Sequence, residues 1–288
     1  MRCDLHVHTW HSGMCTLPAL RRVCRECYTD PLALYDHLKR AGMDLVTVTD
    51  HDSIDAAEAL RSQPDFFLSE EVTCHLPSGT ELHVGVYDIS ERDHIELQRS
   101  RDDFESLAHY LHSSDLFFTA NHVFSSLTGR RAAADFELFE TAFPGIETRN
   151  GHMLAIANAN ASHLSDFGGC AEAGGSDAHV LTSAARAWTV VPRARDKQEY
   201  LDGLRAGLGR VRGATGSYRI LTRDILLIGL SMVRENPLTA VLAPLALAVP
   251  AVTAGNYLLE SVFARYWMAR YMRARRLKAV CPIAEVAA

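Results

Sequence analysis

At 288 residues the chain is long enough for one large domain or two smaller ones. Apolar residues make up 48% and charged residues 22%, which excludes a disordered chain and suits a folded core. The formal net charge of -6 gives no general basic footprint for nucleic acid. The odd set of seven cysteines (Cys3, Cys15, Cys24, Cys27, Cys74, Cys170 and Cys281) does not read as a secreted disulfide framework.

Residues 2–7 read as a strand with no signal-peptide pattern before it, so a reducing, cytoplasmic setting is the expectation. "PLALYDHLKRA" (31–41) reads as a helix, with Asp30 as N-cap, Pro31 at its first position and Gly42 beyond its end. "DLVTVTD" (44–50) is a β-branched strand, and 66–73 and 81–89 follow as two more. Residues 91–113 read as one long helix, and 116–124 as a strand running into a loop. Later strands or strand ends are expected at 145–151, 174–180 and 187–191, with helices near 133–141, 151–165 and 196–206. This alternation predicts parallel strands with covering helices, an α/β barrel or layered sheet.

"RVRGATGSY" (210–218) reads as a glycine-rich linker, dividing the chain into 1–216 and a hydrophobic helical appendage, 217–288. From Asn236 to Leu259 there are 24 residues without a charge, long enough to cross a bilayer despite Pro237, Pro244 and Pro250. Arg265, Arg270, Arg273, Arg275, Arg276 and Lys278 follow among aromatic residues, which favours a cytoplasmic C-terminus. The apolar stretch 225–233 is placed to pair with the span as a hairpin, keeping both ends inside. The expectation is a cytoplasmic protein attached to the cytoplasmic membrane face through 238–259. The rival is a soluble helical subdomain or dimer interface.

Alternate side chains of a strand share a face, so His6 and His8 of "DLHVHT" point the same way. A lone His-x-His is weak evidence for a metal. It gains weight because further imidazoles and carboxylates stand at or near the ends of apolar runs. These are Asp50, His51 and Asp52 in "VTVTDHDS", Glu70 and Glu71 in "LSEEVT", and His83 in "ELHVGVY". Asn121 and His122 follow in "FTANHVF", and Asp177 and His179 in "GGSDAH". Such groups are costly to desolvate without partners. In a barrel, the C-terminal ends of the strands converge on one face.

In order and rough spacing, "DLHVHT", "VTDHDS", "SEEVT", "HVGVY", "NHVF", "GIET" and "GGSDAH" resemble the PHP (polymerase and histidinol phosphatase) family over about residues 1–216. The resemblance implies a distorted (β/α)7 barrel that binds two or three divalent metal ions (zinc, manganese or iron) and hydrolyses phosphoesters. It makes His6, His8 and Asp177 ligands of a first metal, with Glu71 bridging to a second held by His83 and His122. His51 and His179 would serve a third. The family's acidic residue after His-x-His aligns with Gly13, so His11, ahead of Cys15, is the expected substitute ligand. Asp50 and Asp52 are placed to orient histidine ligands. Arg149, just beyond "GIET", is the candidate phosphate clamp, with Arg130 and Arg131 as others.

The implied reaction is hydrolysis of a small phosphomonoester or nucleotide by a metal-bridged hydroxide, with Asp177, Glu71, His179 and Arg149 as its catalytic residues. The alternatives are an exonuclease on DNA or RNA ends and a non-catalytic metal-binding signalling module. No dense Lys/Arg run tracks a nucleic acid strand through 1–216, which disfavours the exonuclease. The Cys-x-x-Cys of "CREC" (24–27) has no evident fourth ligand and reads as reduced thiols.

Overall fold

The structure is a computed structural model and describes residues 1–280, so Cys281 lies outside the described residues. It is a mixed α/β protein. Five strands make one sheet in sequence order: β2 (Ser69–His75), β3 (Glu81–Tyr87), β4 (Phe117–Ala120), β5 (Gly145–Asn150) and β6 (Ala171–Gly175). The first three run antiparallel, and only β4, β5 and β6 are parallel. A second, antiparallel sheet contains β1 (Arg2–Cys3), β7 (Ala187–Val190) and β8 (Arg210–Gly213) in the order β1-β7-β8. The segment read from sequence as the start of a linker is therefore strand β8, paired with β7 along its length.

Among the described residues the regular strands do not close into a barrel. The gap between the sheets is bridged by extended segments 4–8 and 44–51, which carry isolated bridges rather than ladders: Val7 to Ala178, Val46 to Phe66 and His51 to Glu71. Side chains have taken the place of strand partners. Asp4 accepts from the backbone N–H groups of His6, Ser176 and Ala185 at 3.3, 2.7 and 2.9 Å. Thr49 Oγ1 accepts from Val7 N at 3.0 Å, and Asp50 accepts from Thr9 N at 2.6 Å. Side-chain acceptors thus satisfy backbone donors that a ladder would otherwise pair. Burial outweighs these bonds on Asp4 and lifts its carboxyl to about 6.

Helix α1 (Pro31–Arg40) starts as its sequence dictates, with Asp30 accepting from Ala33 N at 2.9 Å, and chain reversal at Gly42 uses φ of +87°. A short helix α2 (Ala57–Leu60) follows. The single helix expected over 91–113 is two, α3 (Glu91–Ser100) and α4 (Phe104–Ser113). Asp103 breaks it, because its carboxylate accepts from Ser106 N and caps a new helix. Helices α5 (Ala133–Ala142), α6 (Ala155–Gly168) and α7 (Lys197–Arg205) complete this part.

Val72, Val84, Val86, Phe118, Ile146 and Leu164 are fully buried between the larger sheet and its helices. Val7, Val46 and Val48 pack on Leu34 and Leu38 of α1. Each such side chain contributes roughly 1.5–3 kcal/mol, which anchors the irregular segments and so fixes the intervening polar side chains.

Beyond β8, α8 (Tyr218–Glu235) is followed by 3-10 turns over Pro237–Ala248 and a long helix α9 (Val249–Val280). The turns fold back along α8. Thr239 bonds Met232 O, Tyr218 Oη donates to Pro250 O at 3.1 Å, and the Thr222 and Thr253 hydroxyls lie 2.8 Å apart. Pro237–Leu277 is one helical stretch long and apolar enough to cross a membrane by length and composition.

Candidate metal centre

His6, His8, His51, Glu71, His83, His122, Asp177 and His179 converge from segments spread over about 170 positions of the chain. Glu71 stands at the middle, with no exposed side-chain surface. Its two oxygens face different partners. Oε2 lies 3.1 Å from His6 Nε2, 3.6 Å from His8 Nε2 and 3.2 Å from His51 Nδ1. Oε1 lies 3.3 Å from His122 Nε2 and 3.7 Å from His83 Nδ1, and accepts from Asn121 Nδ2 at 2.8 Å. Asp177 Oδ1 closes the first group, at 3.5 Å from His6 Nε2 and 3.4 Å from His8 Nε2. Its neighbour in sequence, Glu70, points the other way and accepts from His94 and Gln98 of α3. That is the strand alternation expected of adjacent residues.

In the neutral rings that a metal would require, the nitrogens facing inward carry lone pairs. His6 Nδ1 donates to Glu147 Oε1 at 2.7 Å, leaving Nε2 unprotonated in the neutral ring. His8 Nδ1 donates to Ser12 Oγ at 3.0 Å, and Ser12 passes its own proton to Asp50 at 2.7 Å. His179 Nδ1 faces the Asp177 carbonyl at 3.1 Å. His6 Nε2, His8 Nε2, His179 Nε2 and Glu71 Oε2 are then buried without a hydrogen-bond partner. Lone pairs aimed at carboxylate oxygens repel one another, and unpaired buried polar atoms are costly. A divalent cation satisfies all of them, and imidazole with carboxylate is a donor set that suits zinc, iron and manganese. Four overlapping groups have the spacing of ion sites: His6–His8–Asp177, His6–Glu71–His122, His51–Glu71–His83 and His8–His51–His179.

The backbone is held for this purpose. Asp177 and His122 adopt positive φ, +53° and +32°, which a non-glycine residue accepts only where surrounding contacts impose it. Asn150 Nδ2 supplies such contacts, donating to Asp177 Oδ2 and Glu147 Oε2, both at 3.0 Å. Gly175 passes so close to His6 that a Cβ there would sit 2.2 Å from His6 N.

A family profile described as PHP-associated matches residues 155–208. In fold the chain is similar to a two-domain protein from Bacteroides vulgatus containing a predicted PHP-like metal-dependent phosphoesterase. The identity is 17% and the TM-score 0.56, over 74% of this chain and 65% of that one. These likenesses show a PHP-like fold. PsfC from Pseudomonas syringae is also similar, at 17% identity and a TM-score of 0.57, over 79% of this chain and 97% of that one. So is the lesion-specific endonuclease PfuEndoQ from Pyrococcus furiosus, at 15% identity and a TM-score of 0.50, over 73% of this chain and 58% of that one. The chain thus spans less than two thirds of the first and third of these proteins. No curated protein matches it.

The electrostatics of the centre follow from its burial. Burial opposes charge on His6, but the Glu71, Asp177 and Glu147 carboxylates outweigh it and raise the imidazole well above its usual value. Burial also opposes charge on Glu71 and Asp177, yet the surrounding imidazoles, His6 first, hold both well below the carboxylate range. His8 is pushed well down by burial and then by His179.

His11 does not join the cluster. It sits in the 3-10 turn Trp10–Ser12, where its Nε2 accepts from Trp10 Nε1 at 2.8 Å, and the turn carries it away from the His6/His8 face. Arg149 makes no hydrogen bond or ion pair to the cluster among the described residues. A β-bulge between Glu147 and Arg149 breaks the alternation, so Glu147 and Asn150 face the centre and Arg149 lies beside Gly174. Arg131 is buried and donates to Val123 O, Glu81 O and Thr128, a structural role. Of the two aspartates, Asp50 reaches His8 through Ser12. Asp52 instead accepts from Thr73 N and pairs with Arg101.

Sequence reasoning missed Glu26. Its backbone N–H donates to Gly13 O at 3.0 Å, opposite the position expected to be acidic. Its Oε1 lies 3.8 Å from both His51 Nε2 and His179 Nε2. The carboxylate absent at Gly13 is thus supplied from across a small hairpin. Glu147, Ser12 and Asn150 were also missed as orienting groups, although "GIET" already contained the first.

Proposed function

We propose that this chain is a metal-dependent phosphoesterase that hydrolyses a small phosphomonoester or nucleotide. The observation that carries the reading is Glu71, whose two oxygens are divided between two groups of imidazoles in a buried, partnerless cluster. On this reading the interrupted ring of strands is a distorted form of the PHP (β/α)7 barrel. His6, His8 and Asp177 would hold one ion, and Glu71 with His83 and His122 a second. His51 and His179 would hold a third, with the Glu26 carboxylate nearby in place of His11.

Two or three divalent ions so placed offset charge on the phosphoryl oxygens and lower the pKa of water near them. The chain's own residues prepare that chemistry. Glu147 fixes the ring of His6, and Asp50 fixes that of His8 through Ser12, so both present Nε2 without reorganisation. Asp177 is held ionised by its imidazole neighbours and kept in orientation by Asn150.

His51, His83 and His179 are the partly exposed members, so substrate enters on their side. A cleft of about 370 Å³ is lined by Trp10, His11, Arg25, Tyr28 and Glu235, and Arg25 is the chain neighbour of Glu26. The two aromatic rings of the cleft suit a nucleoside base or another flat group beside the phosphate. Release of phosphate from a panel of phosphomonoesters, dinucleotides and oligonucleotides, with manganese, zinc or iron, tests the reading. Turnover is expected in the wild type and not in His8→Ala or Asp177→Ala. Robust turnover in both variants would refute the site, and preference for long oligonucleotides would refute the substrate class.

A further inference from the structure

The C-terminal hairpin carries an apolar face with no protein against it. Leu238 and Leu247 are 85% and 87% exposed, and Val241, Leu258, Leu259 and Val262 are each mostly exposed. Only 11% of the most apolar window of Pro237–Leu277 is buried. Contiguous apolar surface of this kind marks an interaction site. Two features of the same helix identify what covers it.

The first is a charge pattern along one stripe of α9. Residues 251, 255, 258, 262, 265, 269, 273 and 276 succeed one another at helical spacing and are all exposed. The first half of the stripe is uncharged and apolar. The second half is Arg265, Arg273 and Arg276, joined by Arg270 lying over Tyr266 and Trp267. Apolar residues giving way to arginine and aromatic rings match the passage from acyl chains to anionic headgroups. A second protein copy offers no reason for that gradient.

The second feature is how the hairpin is tied down. The opposite stripe of α9 is bonded to the α/β part of the chain. Glu260 accepts from Ser126 N at 3.0 Å, Asn160 Nδ2 donates to Ala264 O at 2.8 Å, and Tyr271 bonds Glu140. Near its start, α8 is tied through Asp224 to His152 at 2.8 Å, and at its end through Glu235 to Arg25 at 2.7 Å. Between Asp224 and Arg234 lie only nine uncharged residues, 225–233. At 1.5 Å per residue they span about 14 Å, half of a ~30 Å hydrocarbon core. Of α9, only residues 249–259 precede the first of these bonds, at Glu260, about 17 Å of helix, which also falls short of a crossing.

We propose that the hairpin seats the enzyme in plane on one leaflet of an anionic lipid bilayer, with α9 tilted so that its apolar half dips into the acyl boundary and its arginines stay among the headgroups, without crossing it. The test is flotation of the full-length protein with phosphatidylcholine vesicles, with and without phosphatidylglycerol. Flotation is expected with the anionic vesicles and should weaken with salt. Arg270→Gln/Arg273→Gln should lower the affinity about thirtyfold. Leu258→Asp/Val262→Asp should abolish flotation while circular dichroism and melting temperature stay those of the wild type. Absence of wild-type flotation with either vesicle would overturn the proposal. So would an oligomer that the aspartate variant turns into monomer, since the face would then belong to a second copy. Protein resistant to alkaline carbonate, with its C-terminus cleaved only from the far side, would overturn the in-plane geometry.

Discussion

Replacing Glu147 with glutamine separates the orientation of a ligand from the ligand itself. Glu147 Oε1 accepts from His6 Nδ1 at 2.7 Å, while Oε2 accepts from His122 N at 2.9 Å and from Asn150 Nδ2 at 3.0 Å. Every neighbour is a donor, and a glutamine side chain keeps only one acceptor oxygen. Its NH2 group must therefore face either His6 Nδ1–H or the His122/Asn150 pair. In the first case the His6 ring tautomer is reversed and Nε2 loses its lone pair. In the second, the backbone holding His122 loses its partner. Loss of such an outer partner typically weakens metal binding by about 10–100-fold, or about 1.4–2.8 kcal/mol. Competition against a chromogenic chelator measures the affinity directly, and thermal unfolding of the metal-free protein controls for general damage. Wild-type metal affinity in a variant that unfolds normally would refute the claim that Glu147 sets the His6 ring.

Three other outcomes follow from the geometry. His11→Ala should keep the full metal content by elemental analysis, whereas His179→Ala and Glu26→Gln should each lose or weaken one equivalent. Gly175→Ala should cost at least about 1–3 kcal/mol in denaturant unfolding, because the new Cβ meets backbone at His6 rather than a yielding side chain. Burial works against the Asp65 carboxylate, but Lys39 and the Tyr35 hydroxyl hold it below its usual range. Its contribution is therefore present above the unfolded carboxylate value and lost as pH falls through the lower folded one. Asp65→Asn should cost roughly 0.5–1 kcal/mol at neutral pH, and that difference should vanish in acid.

The residues that converge on Glu71 were legible because apolar runs ending in imidazole or carboxylate are unusual, and His6/His8 and Glu70/Glu71 obey strand alternation. What defeated the pattern was local. Extended segments 4–8 and 44–51 have the composition of strands, but Asp4, Thr49 and Asp50 take up backbone bonds that a ladder would otherwise make. In the sequence Arg149 is placed only by its position beyond "GIET", and no periodicity announces the bulge at Glu147/Arg149 that sets which side chains face the centre. Glu26 lies inside a Cys-x-x-Cys that drew attention to its thiols. Its approach to His51 depends on a hairpin partner, Gly13, visible only in three dimensions. The length of the uncharged run suggests a crossing helix, and the run does not reveal that Glu260 and Ala264 are fastened to Ser126 and Asn160.

Anomalous X-ray diffraction from crystals grown with manganese or zinc tests the central claim most directly. The account predicts density maxima bounded by His6, His8 and Asp177 on one side of Glu71 and by His83 and His122 on the other. Full metal loading with every maximum elsewhere on the molecule, or no maximum in crystals grown with excess metal, would contradict it.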